Sequence, residues 1–282
     1  MRAALSVDLE PNKDGSLDGV REAMAWFDRV VPRGTVFATH RIAANLPGLL
    51  ADLAASHEIG VHVHPREFGV EHDELAWLDR TRQGELITRT RTAVADAIGV
   101  NPTDVRSFRA GRHSASPTTL AVLADLGFAV DASVNVRYRE QLPSAVLDRS
   151  APFRLDATGA FDGGSGGVGD LVEVPTTFTR PRPLTRPWIY TRGGPVVATA
   201  NTLRTDRFGC SGERALRMVV RESDLFSMYM HPYDATDRHD LANAGAPFRR
   251  RFERFAARLT GNDAEFDTVS AADILKTTDP AS

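Results

Sequence analysis

Short apolar runs alternate with longer stretches of helical periodicity along the first 134 residues of the chain. Five of these runs have the length and composition of buried strands, namely residues 3–7, 34–39, 58–64, 105–111 and 128–134. Between them, apolar residues recur every three or four positions, which predicts helices at residues 16–30, 42–55, 73–98 and 116–127. Strands that alternate with helices in this way are typical of a mostly parallel sheet covered by helices.

The alternation is interrupted between residues 135 and 200, which hold many prolines and the glycine-rich run GGSGGVGD at 163–170. This run predicts a mobile loop or a hairpin tip, and it lacks the lysine and the strand-to-helix setting of a phosphate-binding loop. The remaining predicted elements are strands at 170–175 and 225–232, a helix at 239–259, and a short strand and helix within 266–275.

Seven or eight strand candidates, with no internal repeat and no linker between them, predict one domain over residues 1–282. The predicted fold is an irregular (β/α) barrel, in which residues 135–200 form an irregular insertion that decides specificity.

The composition narrows the classes of function. The net charge of -3 gives no electrostatic reason to expect a nucleic acid as partner. No apolar run reaches the roughly eighteen residues of a membrane-spanning helix, and the N-terminal residues do not have the pattern of a secretory signal, so a cytoplasmic location is expected. Cys210 is the only cysteine. One cysteine cannot form a thiolate-rich metal site, so a bound metal would have histidine and carboxylate ligands.

Ionisable residues follow or end several of the predicted strands. Asp8 and Glu10 follow the first strand, His62 and His64 end the third, and Arg109 ends the fourth. Asp131 lies in the fifth strand, and His231 ends the strand at 225–232. Active sites of parallel α/β folds lie at the carboxyl ends of the strands. These residues are therefore expected to converge at that end of the barrel, which we call the mouth.

The segment HEIGVHVHPRE at residues 57–67 is the most informative of these sites. Residues two apart in a strand point to the same face, so His62 and His64 can reach one ion. The alternative is a half-exposed strand that carries polar residues on its solvent face, and this segment alone does not decide between the two. His57 precedes the strand and is expected to be structural. In SVDLE, one of Asp8 and Glu10 could ligate a metal while the other acts as a general base.

Four stretches in this order resemble the successive motifs of the polysaccharide deacetylase family (NodB-homology domain, carbohydrate esterase family four). They are SVDLE, HEIGVHVHP, FRAGRHSASPTTLAVLADLGFAVDASV and MYMHPYD, and the resemblance runs from about residue 3 to residue 276. It implies an irregular (β/α) barrel that binds one divalent metal. Zinc is the expected metal, and cobalt, nickel, manganese and iron are alternatives. The implied reaction is the hydrolysis of N-acetyl or related amides, mostly on amino sugars.

The resemblance also implies roles for individual residues. Asp8 matches the general base, Glu10 the metal-binding acid, and Arg109 the arginine that orients the base. His231 matches the histidine that protonates the leaving amine, and Asp131 is a candidate for the acid that tunes it.

Two departures from the family pattern affect the metal ligands. The family commonly has two adjacent aspartates where this chain has Asp-Leu-Glu, which leaves open whether Asp8 or Glu10 holds the metal. His62 matches the first metal histidine, but the position four residues later is Arg66, so His64 would have to be the second ligand. The metal would act as a Lewis acid on the amide carbonyl, with a backbone N–H near Gly111 or Arg112 beside the developing oxyanion.

Five further residues are candidates for substrate contact. Arg112 and His113 follow the arginine motif, and Tyr233 follows His231. Trp188 and Tyr190 lie in the irregular segment, where their rings could stack on a sugar or anchor the loop.

The expected activity is that of a metal-dependent hydrolase that removes an N-acyl group from a small or lipid-linked amino sugar or a glycan intermediate. Two alternatives stay open: a cyclic ureide or imide amidohydrolase on the same fold, and a glycan-binding barrel without catalysis.

Overall fold

The computed structural model describes residues 2–138, 142, 144–155, 170–180, 194–205, 211–221, 223–237, 240–260 and 267–276. Its strands are β1 (Arg2–Leu9), β2 (Thr35–Ala38), β3 (Glu58–Val63), β4 (Ser107–Ala110), β5 (Val130–Asp131), β6 (Phe153–Arg154), β7 (Val172–Glu173), β8 (Phe178–Thr179), β9 (Val196–Val197), β10 (Leu225–Met230) and β11 (Asp267–Thr268).

One curved sheet contains nine of these strands, in the order β10-β1-β2-β3-β4-β5-β7-β6, with β11 also paired to β1. All neighbours are parallel except β6 and β7. Strands β8 and β9 form a separate antiparallel pair. Just after β7, the backbone N–H of Thr177 donates to Ser227 O in β10 at 3.0 Å, so the two ends of the curved sheet approach each other. This arrangement confirms the predicted irregular (β/α) barrel.

The helices are α1 (Val20–Val30), α2 (His40–Asn45), α3 (Pro47–Leu53), α4 (Arg80–Ile98), α5 (Pro117–Asp125), α6 (Ser144–Leu147), α7 (Ala200–Arg204), α8 (Gly212–Arg221), α9 (Pro232–Ala235), α10 (Ala246–Thr260) and α11 (Ala271–Leu275). Short 3-10 turns cover Pro65–Phe68, Leu75–Trp77, Pro102–Asp104 and Gly111–His113. Within the described part of the chain, no helix is long and apolar enough to cross a bilayer.

Each strand predicted from an apolar run is present, and burial along nearly the whole length of the central strands explains why those runs are continuous. Val7, Val36, Val61 and Phe108 lie on adjacent strands, are fully buried, and belong to one core between the sheet and the helices. A strand buried on both faces has no polar side to alternate with.

Several helix boundaries differ from the prediction for local reasons. The segment predicted as one helix at 42–55 is two helices, because Pro47 begins α3 and cannot continue the hydrogen bonding of α2. Helix α1 begins at Val20, since Gly19 has a left-handed φ of 73°. Helix α4 begins only at Arg80, capped by the side chain of Asp79. The glycine-rich run at 163–170 lies mostly outside the described residues, and the one-domain extent over 1–282 stays a prediction.

Candidate metal centre and active site

Glu10, His62 and His64 converge at the carboxyl ends of β1 and β3. His64 Nε2 lies 2.7 Å from Glu10 Oε2 and 3.1 Å from His62 Nε2, and His62 Nε2 lies 3.7 Å from the same glutamate oxygen. Each of the three offers one ligand atom within 4.8 Å of the others, a spacing that could hold a metal ion. His62 is buried, while Glu10 and His64 keep partial access to solvent.

Hydrogen bonds on the far side of each imidazole orient the two histidines. His62 Nδ1 donates to the backbone carbonyl of Arg109 at 2.9 Å, and His64 Nδ1 lies 2.7 Å from Asp73 Oδ2. A proton on Nδ1 leaves the Nε2 lone pair free in both rings, and both Nε2 atoms face Glu10. Metal-binding histidines typically have such carbonyl and carboxylate partners. The donor set of two imidazoles and one carboxylate fits zinc and the later divalent transition metals.

The two carboxylates shift the acid–base chemistry of His64. Burial acts to lower the pKa of His64, but its hydrogen bonds to Asp73 and Glu10 outweigh burial and raise the pKa to about 10. Burial acts to raise the pKa of Glu10, but the hydrogen bonds from His62 and His64 outweigh burial and hold that pKa well below its usual value. In the absence of a cation, a proton on His64 therefore supplies the positive charge between two carboxylates.

Asp8 has a different environment from Glu10, although both follow β1. Arg109 Nη1 donates to Asp8 Oδ1 at 2.6 Å and to Ser6 Oγ at 2.9 Å, and Arg109 Nε donates to Ala132 O at 2.9 Å. The guanidinium also lies 4.3 Å above the ring of Phe37. Burial acts to raise the pKa of Asp8, but Arg109 together with nearby histidines lowers it. The sequence left the metal ligand open between Asp8 and Glu10, and of these two only Glu10 belongs to the metal-compatible cluster.

His231 directly follows β10, and its ring lies near the carboxylates of both Asp8 and Glu10. Its Nε2 lies 3.7 Å from Glu10 Oε1 and 3.9 Å from Asp8 Oδ2. Its Nδ1 lies 3.4 Å from Asp234 Oδ2, which also accepts the backbone N–H of His231 at 2.9 Å. Burial acts to lower the pKa of His231, but the contact with Asp234 and the charge of Glu10 raise it above 6.5.

Asp131 is not the carboxylate that accompanies His231, so this part of the prediction is corrected: that carboxylate is Asp234. Asp131 Oδ1 instead accepts hydrogen bonds from the hydroxyl of Ser133 at 2.5 Å and from its N–H at 3.1 Å. The Ser133 hydroxyl in turn accepts the N–H of Ala110 at 2.9 Å. Through Ser133, Asp131 therefore supports the end of β4, the strand that carries Arg109.

Asp131 also pairs in register with Glu173 on β7. Both residues are fully buried, and Asp131 Oδ2 and Glu173 Oε2 have no other hydrogen-bond partner. Burial raises the pKa of both carboxyls, and the proximity of Asp131 raises that of Glu173 further. Two carboxyls in this position can share one proton, as like charges in contact cannot both ionise.

Two of the predicted substrate contacts lie on the strained turn after β4. Arg112 and His113 have consecutive left-handed φ values of 53° and 54°, which cost about 1–3 kcal/mol each for non-glycine residues. Arg112 is half exposed and its Nε lies 3.3 Å from Glu74 Oε1. His113 is buried, donates from Nδ1 to Ser133 O at 3.0 Å, and stacks on Tyr138 at 5.3 Å. Burial and then Arg109 lower the pKa of His113 to about 3, so this imidazole is neutral near pH 7.

Tyr233 stacks on the His231 ring, with centroids 4.5 Å apart and planes at 11°. Trp188 and Tyr190 lie outside the described residues. His57 is buried, accepts the N–H of Gly34 at 3.1 Å and contacts Asp28 at 3.1 Å, which is the structural position expected for it.

The sequence reasoning missed two residues, Asp73 and Asp234. Asp234 carried a local signal, because it stands three residues after His231 at the start of α9, where a capping acid reaches back to the preceding residue. Asp73 carried none, since it reaches His64 only through the 3-10 turn Pro65–Phe68 and the loop that follows.

Comparison with known proteins agrees with this architecture. No protein-family model matches the sequence, and no curated protein does. Among solved structures, a protein described as a polysaccharide deacetylase of Mycobacterium smegmatis has a TM-score of 0.64 at 17% identity, covering 98% of this chain and 88% of that one. A family 4 acetyl xylan esterase of Clostridium thermocellum, in complex with cobalt, has a TM-score of 0.51 at 12% identity, with coverages of 98% and 91%.

A third likeness is to a family 4 carbohydrate esterase pseudoenzyme of Bacillus anthracis, in a mutant form with restored activity. Its TM-score is 0.51 at 11% identity, covering 97% of this chain and 67% of that one. The chain therefore has the NodB-like fold of polysaccharide deacetylases and family 4 carbohydrate esterases. At these identities the likeness concerns the fold, and the activity must be argued from the site itself.

Proposed function

We propose that this protein is a metal-dependent hydrolase that removes an N-acetyl or other N-acyl group from an amino sugar or a glycan intermediate. The observation that carries the proposal is the convergence of three chemically distinct parts at one mouth. These are the Glu10, His62 and His64 cluster, the Asp8 carboxylate on Arg109, and the His231 imidazole on Asp234.

Glu10, His62 and His64 would hold one divalent ion, with zinc the first choice and cobalt, nickel, manganese and iron the alternatives. Such an ion supplies Lewis acidity toward the carbonyl oxygen of the scissile amide. The fit rests on three inward-facing donor atoms and on the orienting partners of both imidazoles. The named relatives lend support, as one of them was solved with cobalt.

Asp8 is the proposed general base and His231 the proposed general acid. The lowered pKa of Asp8 keeps the carboxylate ionised, ready to accept a proton from the attacking water. The raised pKa of His231 favours the protonated ring, ready to donate a proton to the departing nitrogen. Water then adds its oxygen to the carbonyl carbon, the carbon–nitrogen bond breaks, and the nitrogen leaves as an amine. Each transfer is expected to contribute about 10²–10⁴-fold.

The test is acyl release by protein stripped with a chelator and reloaded with zinc or cobalt. The substrates are N-acetylated amino sugars, their short oligomers, sugar nucleotides and cyclic imides, and released acid and amine are both measured. We expect acetate from an acetylated amino sugar, its loss on chelation and its recovery on reloading. Turnover of cyclic imides alone would favour the alternative amidohydrolase. Glycan binding without turnover by the metal-loaded protein would favour a binding barrel.

A further inference from the structure

We infer that Arg204 is a positioning residue for the proposed general acid and acts on His231 through the carboxylate of Asp234. The inference rests on the proposed function, in which His231 gives a proton to the leaving nitrogen. It assigns to the acid side of the site an arginine that corresponds in role to Arg109 on the base side.

The carboxylate of Asp234 is shared between two partners. Arg204 Nε lies 2.8 Å from Asp234 Oδ1, whereas Oδ2 faces Nδ1 and the backbone N–H of His231. Both members of the ion pair are buried, with Asp234 1% and Arg204 7% exposed. The N–H of Nε is not aligned for a hydrogen bond with that oxygen, so the contact acts mainly through charge.

Arg204 is fixed in place from several directions. Its Nη1 donates to Ala242 O at 3.0 Å, and its own carbonyl accepts Asn243 Nδ2 at 2.9 Å and Arg251 Nη1 at 2.9 Å. The same loop holds the backbone of Asp234, because Gly245 N–H donates to Asp234 O at 2.9 Å. The end of α7 and the loop before α10 therefore form one rigid support for Asp234.

A positive charge is needed at this position. A buried carboxylate without a countercharge is costly and tends to become neutral or to move toward water. Either change would withdraw the negative charge that faces Nδ1 of His231. The two proton-transfer groups thus have matching supports: Arg109 contacts Asp8 directly, and Arg204 contacts His231 through one intermediate residue.

The leaving group of the substrate separates positioning of the acid from general support of the fold. An amine must be protonated as it leaves an amide, whereas the phenolate of an aryl acetate leaves without a proton. A residue that positions His231 should therefore affect amide hydrolysis far more than aryl ester hydrolysis. A residue that only supports the fold should affect both reactions equally.

The variants are Arg204→Met, Arg204→Lys and, as a matched control, Arg249→Met, which removes a partly exposed arginine of α10 paired with Glu22. With metal-loaded protein, we expect Arg204→Met to lower kcat for an N-acetylated amino sugar about 10- to 100-fold. The kcat for 4-nitrophenyl acetate should change less than about threefold, and Arg204→Lys should recover part of the amide activity. Equal losses on both substrates, or an unchanged amide kcat, would overturn the inference.

Two further measurements cover the cases where these variants are not informative. Should Arg204→Met fail to fold, the double variant Arg204→Met/Asp234→Asn is compared with Asp234→Asn alone. Because Arg204 acts through Asp234, both should show the same selective loss on the amide, and a larger loss in the double variant would overturn the inference. Should the wild type hydrolyse neither substrate, the proposed function fails. The inference is then decided by the imidazole nitrogen resonances of His231 in metal-loaded protein. They should shift in Arg204→Met and not in Arg249→Met, and unchanged resonances would overturn it.

Discussion

His64 Nδ1 and Asp73 Oδ2 lie 2.7 Å apart, and this contact couples the proposed metal site to pH. The pKa of His64 in the metal-free protein is raised to about 10, whereas metal binding requires the neutral imidazole. The proton on His64 therefore competes with the metal at every pH below about 10. We expect the apparent zinc affinity to rise about tenfold per pH unit from this residue alone. Competition with a chelating dye between pH 6 and pH 9 measures the slope, and a flat profile would contradict the assignment.

Asp73→Asn should change both the strength and the pH dependence of metal binding. Without the carboxylate, His64 is a poorer ligand, and loss of such a partner typically lowers metal affinity about 10–100-fold. Loss of the carboxylate also lowers the pKa of His64, so the proton that competes with the metal binds less tightly. The loss should consequently be small near pH 6 and approach its full value at alkaline pH. Asp96→Asn, an exposed acid on α4, is the control and should follow the wild type at each pH.

Gly111→Ala should damage the metal site through a steric contact. A Cβ at this position would lie 2.6 Å from Val63 O and 2.8 Å from His64 Nδ1. The carbonyl belongs to β3 and cannot yield, so the His64 ring must move and lose Asp73. We expect a loss of about 1–3 kcal/mol in the free energy of unfolding, typical of overpacking, together with weaker zinc binding.

Gly48→Ala is the matched control, because nothing lies within 4 Å of its Cβ position in α3. It should stabilise the protein by about 0.5–1 kcal/mol, since alanine restricts the unfolded chain. Urea unfolding and zinc titration of both variants measure the contrast. Equal zinc affinity in the two would show that His64 tolerates the added methyl group.

The sequence predicted the sheet well because its strands are buried on both faces and appear as uninterrupted apolar runs. The strand-end position of His62, His64, Arg109 and His231 follows from the same property, so their convergence could be predicted. Asp131 could not be placed correctly, since its position in a strand does not reveal that the neighbouring strand ends in Glu173. The sequence also could not decide which of Asp8 and Glu10 is the metal ligand. It depends on which carboxylate Arg109 reaches across the barrel.

Asp8→Asn is the informative substitution at the proposed base. Asp8→Ala would leave Arg109 buried without its partner, which typically costs about 3–5 kcal/mol and would confuse a loss of activity with a loss of fold. Asparagine keeps an oxygen that can accept from Arg109 but cannot take a proton from water. We expect kcat for the acylated amino sugar to fall about 10²–10⁴-fold. Metal content should change little and the unfolding midpoint should fall less than in Asp8→Ala, because the amide oxygen still accepts from Arg109 although the countercharge is lost. A kcat within tenfold of wild type would rule out Asp8 as the base.

Glu173→Gln should change how stability depends on pH, because the buried carboxyls of Asp131 and Glu173 can share one proton in the folded protein. The folded-state pKa of Glu173 is raised well above its ordinary value of 4.5. The folded state therefore keeps a proton that the unfolded chain releases, and the wild type loses stability as pH rises from 4.5 toward that raised pKa. One retained proton corresponds to about 1.4 kcal/mol per pH unit.

The glutamine amide can donate to Asp131 without any proton uptake, so Glu173→Gln should remove this part of the slope. The measurement is urea unfolding of chelator-treated protein, which excludes metal linkage. The free energy of unfolding of the variant should increase relative to that of the wild type as pH rises above 4.5. Glu71→Gln, an exposed acid in the loop after β3, serves as the control and should leave the wild-type slope intact. Parallel profiles for Glu173→Gln and wild type would mean that the Asp131 and Glu173 pair holds no shared proton. Asp131, which supports the end of β4 through Ser133, would then carry a full negative charge.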